Sequence, residues 1–502
     1  MPHIRPVFLP LFALPLLAIM LWLMPPAAKA DTYPPFPADT SWFNVNRPLT
    51  SADLQGRVVL LDFFTPGCIN CIHMIPIQQQ LKQKFGDDLL VIGVTSPKFT
   101  ASKQANNMTP FLRRFYIDEP VFIDADMTWW QHYGVFAWPT MLLLNPQGKV
   151  IKSFVGERSF AQMAKPIGVA IAIAQTAGEL THPALPLKPL AADTDFFVLP
   201  TKIAIEGDRV AISDSGHNRI DLFDKSGKPI ATIGSGKIGF SEGSYANAEF
   251  SRPQGLAFIG NVLYVADTDN QRIRKIDLAT QTVTTVAGNG QRAYGSSTPL
   301  AAPVETALNS PWALDHVEGK LFIAMAGDHQ IWHFDPMKNT LESFAGSGEE
   351  GLRDGERLNA QFAQSSGLAY HEHNLYVADP ESSSIRQINL DTGLVVTLIG
   401  KGLFNFGDRD GAASQAELQH PQGLAYLQGA LYIADTFNNA IRKLDLGSLQ
   451  VTTVTKKLAQ PNGLAVLNDH TLLIADTYHD RVVTLDLTDG AVTSWPPKKI
   501  TP

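Results

Sequence analysis

Six times between residues 196 and 502 the chain returns to one pattern. The unit reads Pro-x-Gly-Leu-Ala, a few residues, Leu-Tyr-Val-Ala-Asp-Thr-x-Asn-x-Arg-Ile-Arg-Lys-Ile-Asp, then Val-Thr-Thr-Val-Ala-Gly. It begins at Pro200, Pro253, Pro311, Ser365, Pro421 and Pro461, at spacings of 53, 58, 54, 56 and 40 residues. Four short strands per unit at this period predict propeller blades, and six units predict six of them. A single blade cannot bury its sheet, so the ring must supply the core. Inserts such as 239–253 and 348–366 are rich in Gly and small residues. They are expected to form long loops on one face. Phe196–Leu199 is a candidate for a strand that closes the ring.

The repeat also carries charge. Asp214, Asp267, Asp379, Asp435 and Asp476 recur at one position, with Arg219, Arg272 and Arg481 five residues later, and blade three has Met325 instead of Asp. A catalytic group is needed once, whereas a turn cap or ion pair is needed in every blade, so these read as structural. His217 and His479 share a repeat position in blades one and six, and His329 lies one position over in blade three. Three converging histidines could hold a metal. Loop histidines are the competing reading.

Ahead of the repeats lies Val58–Pro76, VVLLDFFTPGCINCIHMIP, which contains the only two cysteines of the 502 residues. It reads as a buried strand, a short turn and a helix. Cys68-Ile69-Asn70-Cys71 closes too small a loop to be an effective staple. Cys68 would sit at a helix N-terminus, where unpaired N–H groups and the dipole favour a thiolate. That thiolate would attack a partner disulfide, and Cys71 would resolve the mixed disulfide. A zinc half-site and an inert bridge compete, but zinc lacks a second cysteine pair. Asp62 lies inside the apolar run, where burial raises a carboxyl pKa and lets it move the proton of the second thiol. A hydrogen-bonded structural carboxylate is the alternative. Trp138-Pro139-Thr140 leads into the apolar strand Met141–Leu144, in a position open to a cis peptide.

Together these features resemble the thioredoxin fold, over roughly residues 39–175. The segments LQGRVVLLDFFTPGCINC and PVFIDADMTWWQHYGVFAWPTMLLLNPQGKVI resemble periplasmic TlpA-like thioredoxins. Ile69-Asn70 and the tail CIHMIP resemble the branch that includes the DipZ thioredoxin domain and NHL repeat-containing protein 2. The resemblance implies that Cys68 is the nucleophile, Cys71 the resolving thiol, Asp62 the buried proton acceptor and Pro139 a cis-proline facing the disulfide. Ile69-Asn70 replaces Gly-Pro of thioredoxin itself, and Thr65-Pro66-Gly67 also departs from it, which leaves the redox direction open. PQGLAFIGNVLYVADTDNQRIRKID (253–277) resembles the NHL repeat.

Residues 1–30 read as a signal peptide: Arg5, an apolar run Val7–Met24, then Ala28-Lys29-Ala30 before Asp31. An uncleaved inner-membrane anchor is the competing reading, since 18 apolar residues approach a membrane span. Either places the remainder in an oxidising compartment. The expected order is therefore a leader over 1–30, a thioredoxin-like α/β domain over 31–178, a Pro-rich semi-rigid linker over 179–195 and an all-β six-bladed propeller over 196–502. Residues 1–195 carry 15 Lys and Arg against 14 Asp and Glu, and residues 196–502 carry 25 against 34. No basic face results, which argues against nucleic-acid binding. The expected function is a periplasmic or otherwise exported thiol–disulfide oxidoreductase. Its partners would be protein thiols and disulfides. Its propeller would dock a protein partner on the long-loop face. The redox-active disulfide would be its only prosthetic feature. The rival classes are a propeller scaffold with a non-catalytic thioredoxin-like domain, a metal-dependent propeller lyase or hydrolase, and a thioredoxin serving cytochrome maturation.

Overall fold

The seven residues of Val58–Phe64 are all buried, as a strand covered on both faces must be. In the computed structural model, which describes residues 33–37, 39–188, 194–294 and 298–496, this strand is β2 of a six-stranded sheet. Its companions are β1 (Trp42–Phe43), β3 (Leu89–Thr95), β4 (Val121–Ile123), β5 (Thr140–Leu144) and β6 (Val150–Val155), in the order β1-β4-β3-β2-β5-β6. β2, β3 and β4 run parallel, and β1, β5 and β6 are antiparallel to their neighbours. β4 lies one strand in from the edge, covered by the two-residue β1. Besides the short α1 (Ser51–Leu54), the sheet carries α2 (Ile69–Phe85), α3 (Ala105–Arg114), α4 (Thr128–His132) and α5 (Phe160–Thr176). Ser159 caps α5 in a capping box with Gln162. One core, around Leu60, Met74, Leu143 and Ile167, lies beneath α2 and α5. A second, with Trp129 fully buried, fills the opposite face. This is the thioredoxin-like α/β architecture.

The expected linker does not run free where it is described. Thr181 N–H donates to Gly56 O, Lys188 N–H donates to Asn44 O, and Leu187 bridges to Val45. The residues at 189–193 and the leader over 1–30 lie outside the described residues.

Six sheets follow, each with four consecutive strands. Blade one runs Pro200–Glu206, Arg209–Asp214, Arg219–Asp224, Pro229–Ile233. Blade six runs Leu464–Asn468, Thr471–Asp476, Arg481–Asp486, Val492–Trp495. The inserts are more than loops. Gly243–Ser244, Gly355–Glu356 and Gly411–Ala412 each add a two-residue strand to the outer edge of blades two, four and five. Such pairing covers an otherwise open edge. The ring closes without strand exchange. Phe196–Leu199 is not a strand; it wedges between blades six and one, with Phe197 packed on Leu473, Val482 and Trp495. Val198 N–H donates to Asp214 and Leu199 N–H to Asp480. The Gly of Pro-x-Gly is required by the closeness of the inner strands: a Cβ at Gly255 would stand 2.7 Å from Leu314 N, and one at Gly367 2.8 Å from Gln422 O.

The recurring aspartates are fully buried and do the same work in each blade. Asp214, Asp267, Asp379, Asp435 and Asp476 accept the backbone N–H of Val198, Ser251, Ala363, Gln419 and Ala459, at 2.6–2.8 Å. Each thereby ties the lead-in of an inner strand to the end of the next. Arg219 and Arg481 pair with their blade's Asp. Arg272 does not; Arg274 takes its place at 2.9 Å from Asp267, as Arg442 does at 2.9 Å from Asp435. Arg272 lies on the same strand face, but its guanidinium stacks over the Phe240 ring and donates to the carbonyls of Asn270 and Asn289, which leaves the fully buried Arg274 to reach Asp267. Blade three replaces both charges, with Met325 and Trp332 fully buried at the matching positions.

Candidate functional site

β2 ends in Thr65-Pro66-Gly67, and the chain turns there to start α2. Gly67 has φ +94°, in the left-handed region that favours glycine. Cys68 is the N-cap of α2, its sulfur accepting from Cys71 N–H at 3.2 Å. Cys68 and Cys71 form a disulfide with 5.3 Å between their Cα atoms. The helix N-terminus thus addresses its unpaired N–H groups to Cys68. Trp138 packs against the apolar cluster that contains both cysteines, and the Trp138–Pro139 peptide is cis.

Asp62 is buried in mid-β2, opposite Gly93 of β3 and Met141 of β5. Gln78, two helical turns past Cys71 and on the same face of α2, donates to Asp62 Oδ2 at 2.7 Å. Asp62 Oδ1 is buried without a hydrogen-bond partner. Burial pushes this carboxyl up to about 7, against the opposing pull of the Gln78 bond. Beneath the dithiol helix there is therefore a carboxyl that can hold or release a proton near neutrality. Gln78 escaped the sequence reading, although its seven-residue spacing from Cys71 was a usable signal.

The propeller covers this site. Cys68 is 5% exposed and Cys71 4%. The cluster around them includes Trp312 and Ala326 from blade three and Tyr478 from blade six. Gln364 accepts the Ile69 N–H at 2.8 Å, so one of the orphan donors of α2 is satisfied by the other domain. A Cβ on Gly67 would stand 2.6 Å from His420 Nε2, which explains the glycine a second time. Burial holds His420 down at about 3, so its ring is neutral. Phe99 inserts between Phe406, His420 and Phe437 of the propeller, with centroids 4.9–5.3 Å apart. Lys98 pairs with the buried Glu381. His73 of α2 bonds Glu157 at 2.6 Å and Ser310 at 2.7 Å, and Arg292 reaches Glu157 at 2.6 Å. The face expected to receive a partner is thus occupied by the chain's own thioredoxin-like domain. None of these contacts has a local sequence signal, since the partners lie hundreds of residues apart.

The histidines considered for a metal are not brought together. His217 Nδ1 lies 2.7 Å from Asp214, and His479 Nδ1 lies 2.8 Å from Asp476, each within its own blade. His329 is buried and accepts from Gln364 N–H at 3.3 Å. Among the described residues no three His, Cys, Asp or Glu side chains gather in a way that could hold a metal ion.

Family comparison agrees with both halves. A Thioredoxin-like model matches residues 56–150 and an NHL repeat model matches 250–276. The chain is 35% identical over 523 residues to NHL repeat-containing protein 2 of Bos taurus, covering 92% of this chain and 71% of that protein. This chain belongs to the NHL repeat-containing protein 2 family. Protein SUPPRESSOR OF QUENCHING 1, chloroplastic, of Arabidopsis thaliana is 36% identical over 499 residues, which are 92% of this chain and 47% of that protein. The chain therefore spans about half of that relative's length. Within the thioredoxin-like unit, the thiol-disulfide oxidoreductase ResA of Geobacillus thermodenitrificans is 32% identical over 107 residues, 21% of this chain and 58% of ResA. Thioredoxin-like domains handle thiols or protein partners, and propellers mediate protein interactions.

Proposed function

We propose that this chain is an exported thiol–disulfide oxidoreductase whose propeller governs access to the dithiol. The observation that carries the reading is the Cys68–Cys71 pair at the N-terminus of α2, above a buried carboxyl held near 7. In the reduced protein the Cys68 thiolate attacks a client disulfide. Cys71 then displaces the client, and Asp62 takes the Cys71 proton. Pro139 keeps the role that the thioredoxin resemblance implies, facing the sulfurs. The likeness of the domain to the thiol-disulfide oxidoreductase ResA supports this chemistry. Export, to a periplasm or its equivalent and with or without a retained anchor, rests on the pattern of residues 1–30 alone.

Burial of both sulfurs favours a second reading, in which the disulfide is inert and the molecule is a scaffold. The two separate in one experiment. Cys71→Ser should leave mixed disulfides stalled on Cys68 when expressed in an oxidising compartment, visible as adducts that a reductant releases. Absence of any adduct, with folded protein present, supports the scaffold and removes the exchange mechanism.

A further inference from the structure

Between the dithiol and the propeller's central channel lies a small cavity of about 40 Å³. Gly67 and Ile69, the residues flanking Cys68, form part of its wall. The opposite wall is rich in donors. Arg114 of α3 is buried against it and bonds Gln254 at 3.2 Å and the Tyr478 hydroxyl, while its Nε has no partner. Trp312 Nε1 and Ser366 Oγ, also on the wall, are buried without partners. Guanidinium and indole nitrogens can only donate. Three unpartnered buried donors around one cavity are a standing cost unless something accepts from them.

Below the cavity the channel is ringed by Lys202, Gly255, Ala313, Gly367, Gly423 and Gly463, one at or just before the inner strand of each blade. The repeat calls for a small residue here, and only blade one breaks it, with a lysine. Lys202 Nζ donates to the carbonyls of Gln422, which lines the cavity, and Asn462. Among the described residues, neither Lys202 nor Arg114 pairs with a carboxylate. Burial and the neighbouring Arg114 push the Lys202 ammonium down to about 7. A buried cation without a counter-charge is expensive, and Lys202, in the channel next to the cavity, is also repelled by Arg114.

We propose that this cavity binds a small carboxylate-bearing molecule, and that a low-molecular-weight thiol of this class is what the dithiol exchanges with while the domains are docked. The carboxylate supplies the missing acceptor for Arg114, Trp312 and Ser366 and the missing counter-charge for Lys202. Its thiolate end then meets Cys68, which a protein loop cannot reach in the closed arrangement. The exchange balances as follows. The thiolate attacks Cys68 Sγ, the protein S–S bond breaks, a mixed disulfide forms on Cys68, and Cys71 leaves as a thiolate and takes a proton. A second thiolate of the same class attacks the mixed disulfide, releasing the small disulfide and the Cys68 thiolate. Two thiols are oxidised and one protein disulfide is reduced. The exchange half of this inference rests on the dithiol reading above, whereas the binding half does not.

The test uses the full oxidised chain, 3-mercaptopropionate, uncharged 2-mercaptoethanol at matched thiolate concentration, and sulfur-free propionate. Expected is saturable reduction by 3-mercaptopropionate at least tenfold faster than by 2-mercaptoethanol, despite the chain's net charge of -8. Propionate should compete and should raise Tm. Lys202→Gly, which restores the residue of four other blades, and Arg114→Gln should each remove most of that preference and the Tm rise. No charge preference and no propionate effect, or a preference retained in both variants, overturns the site. If no thiol reduces the disulfide yet propionate raises Tm in the parent and not in Lys202→Gly, the anion site stands and the exchange reading falls.

Discussion

Replacing Phe99 by alanine tests whether the docked propeller controls the dithiol. Phe99 is fully buried, yet it belongs to neither core of the thioredoxin-like domain; it clusters with Phe437 and Phe406 across the interface. Truncating a buried Phe costs about 3–5 kcal/mol. If about 3 kcal/mol of that falls on docking, the opened fraction rises about a hundredfold, at tenfold per ~1.4 kcal/mol. A protein reductant can reach Cys68 only in the opened state, so its rate should scale with that fraction. The assay is reduction of the Cys68–Cys71 disulfide by a reduced protein thiol, quenched with a bulky maleimide and read by gel shift. The expected result is acceleration by about two orders of magnitude, with the unfolding transition of the propeller unchanged. A rate within threefold of the parent, in folded protein, would refute the claim that docking limits access.

Asp62→Asn should change the pH dependence of stability. The folded carboxyl titrates at about 7 against 3.8 unfolded, so the folded state holds a proton that the unfolded state releases, and stability falls as pH rises from about 4 to about 7. The shift of roughly 3 units corresponds to about 4 kcal/mol as an upper bound. In urea denaturation the variant should match the parent near pH 4 and exceed it at pH 8; parallel pH curves would remove the raised pKa. The same variant should slow release of a trapped mixed disulfide by Cys71, and unchanged kinetics would assign Asp62 to structure. Asp267→Ala should cost about 3–5 kcal/mol by stranding the buried Arg274, while pairing Asp267→Met with Arg274→Trp, as in blade three, should recover more than half of it, as read by urea unfolding. Gly67→Ala, strained by its φ and by His420, should raise alkylation of the reduced cysteines by bulky reagents, which unaltered alkylation would contradict.

Much of this architecture was legible in the chain because it is written locally. Pro-x-Gly-Leu-Ala marks each inner strand, and the recurring Asp marks each second strand. The run VVLLDFF followed by Cys-x-x-Cys marks the dithiol strand and helix. What stayed hidden depends on distant pairing. Arg272 looked like the partner of Asp267 by spacing, but it is drawn to Phe240 and the carbonyls of Asn270 and Asn289, and Arg274 pairs instead. The inserts looked like loops because a two-residue strand leaves no periodicity. Docking left one oblique trace, Gly67 where thioredoxin itself differs, and the channel another, Lys202 where the repeat calls for a small residue. Each is a place where a local rule is broken for a residue far away in the chain.

The proposed exchange depends on the reactivity of one disulfide, Cys68–Cys71, so its reduction potential is the decisive quantity. The purified chain is equilibrated in thiol buffers of known potential and its free thiols are counted by mass. A potential between roughly -270 and -120 mV, the range of working exchange proteins, is the expected result. A potential below about -300 mV, with thiols that react slowly even in Phe99→Ala, would mark a structural disulfide and contradict it.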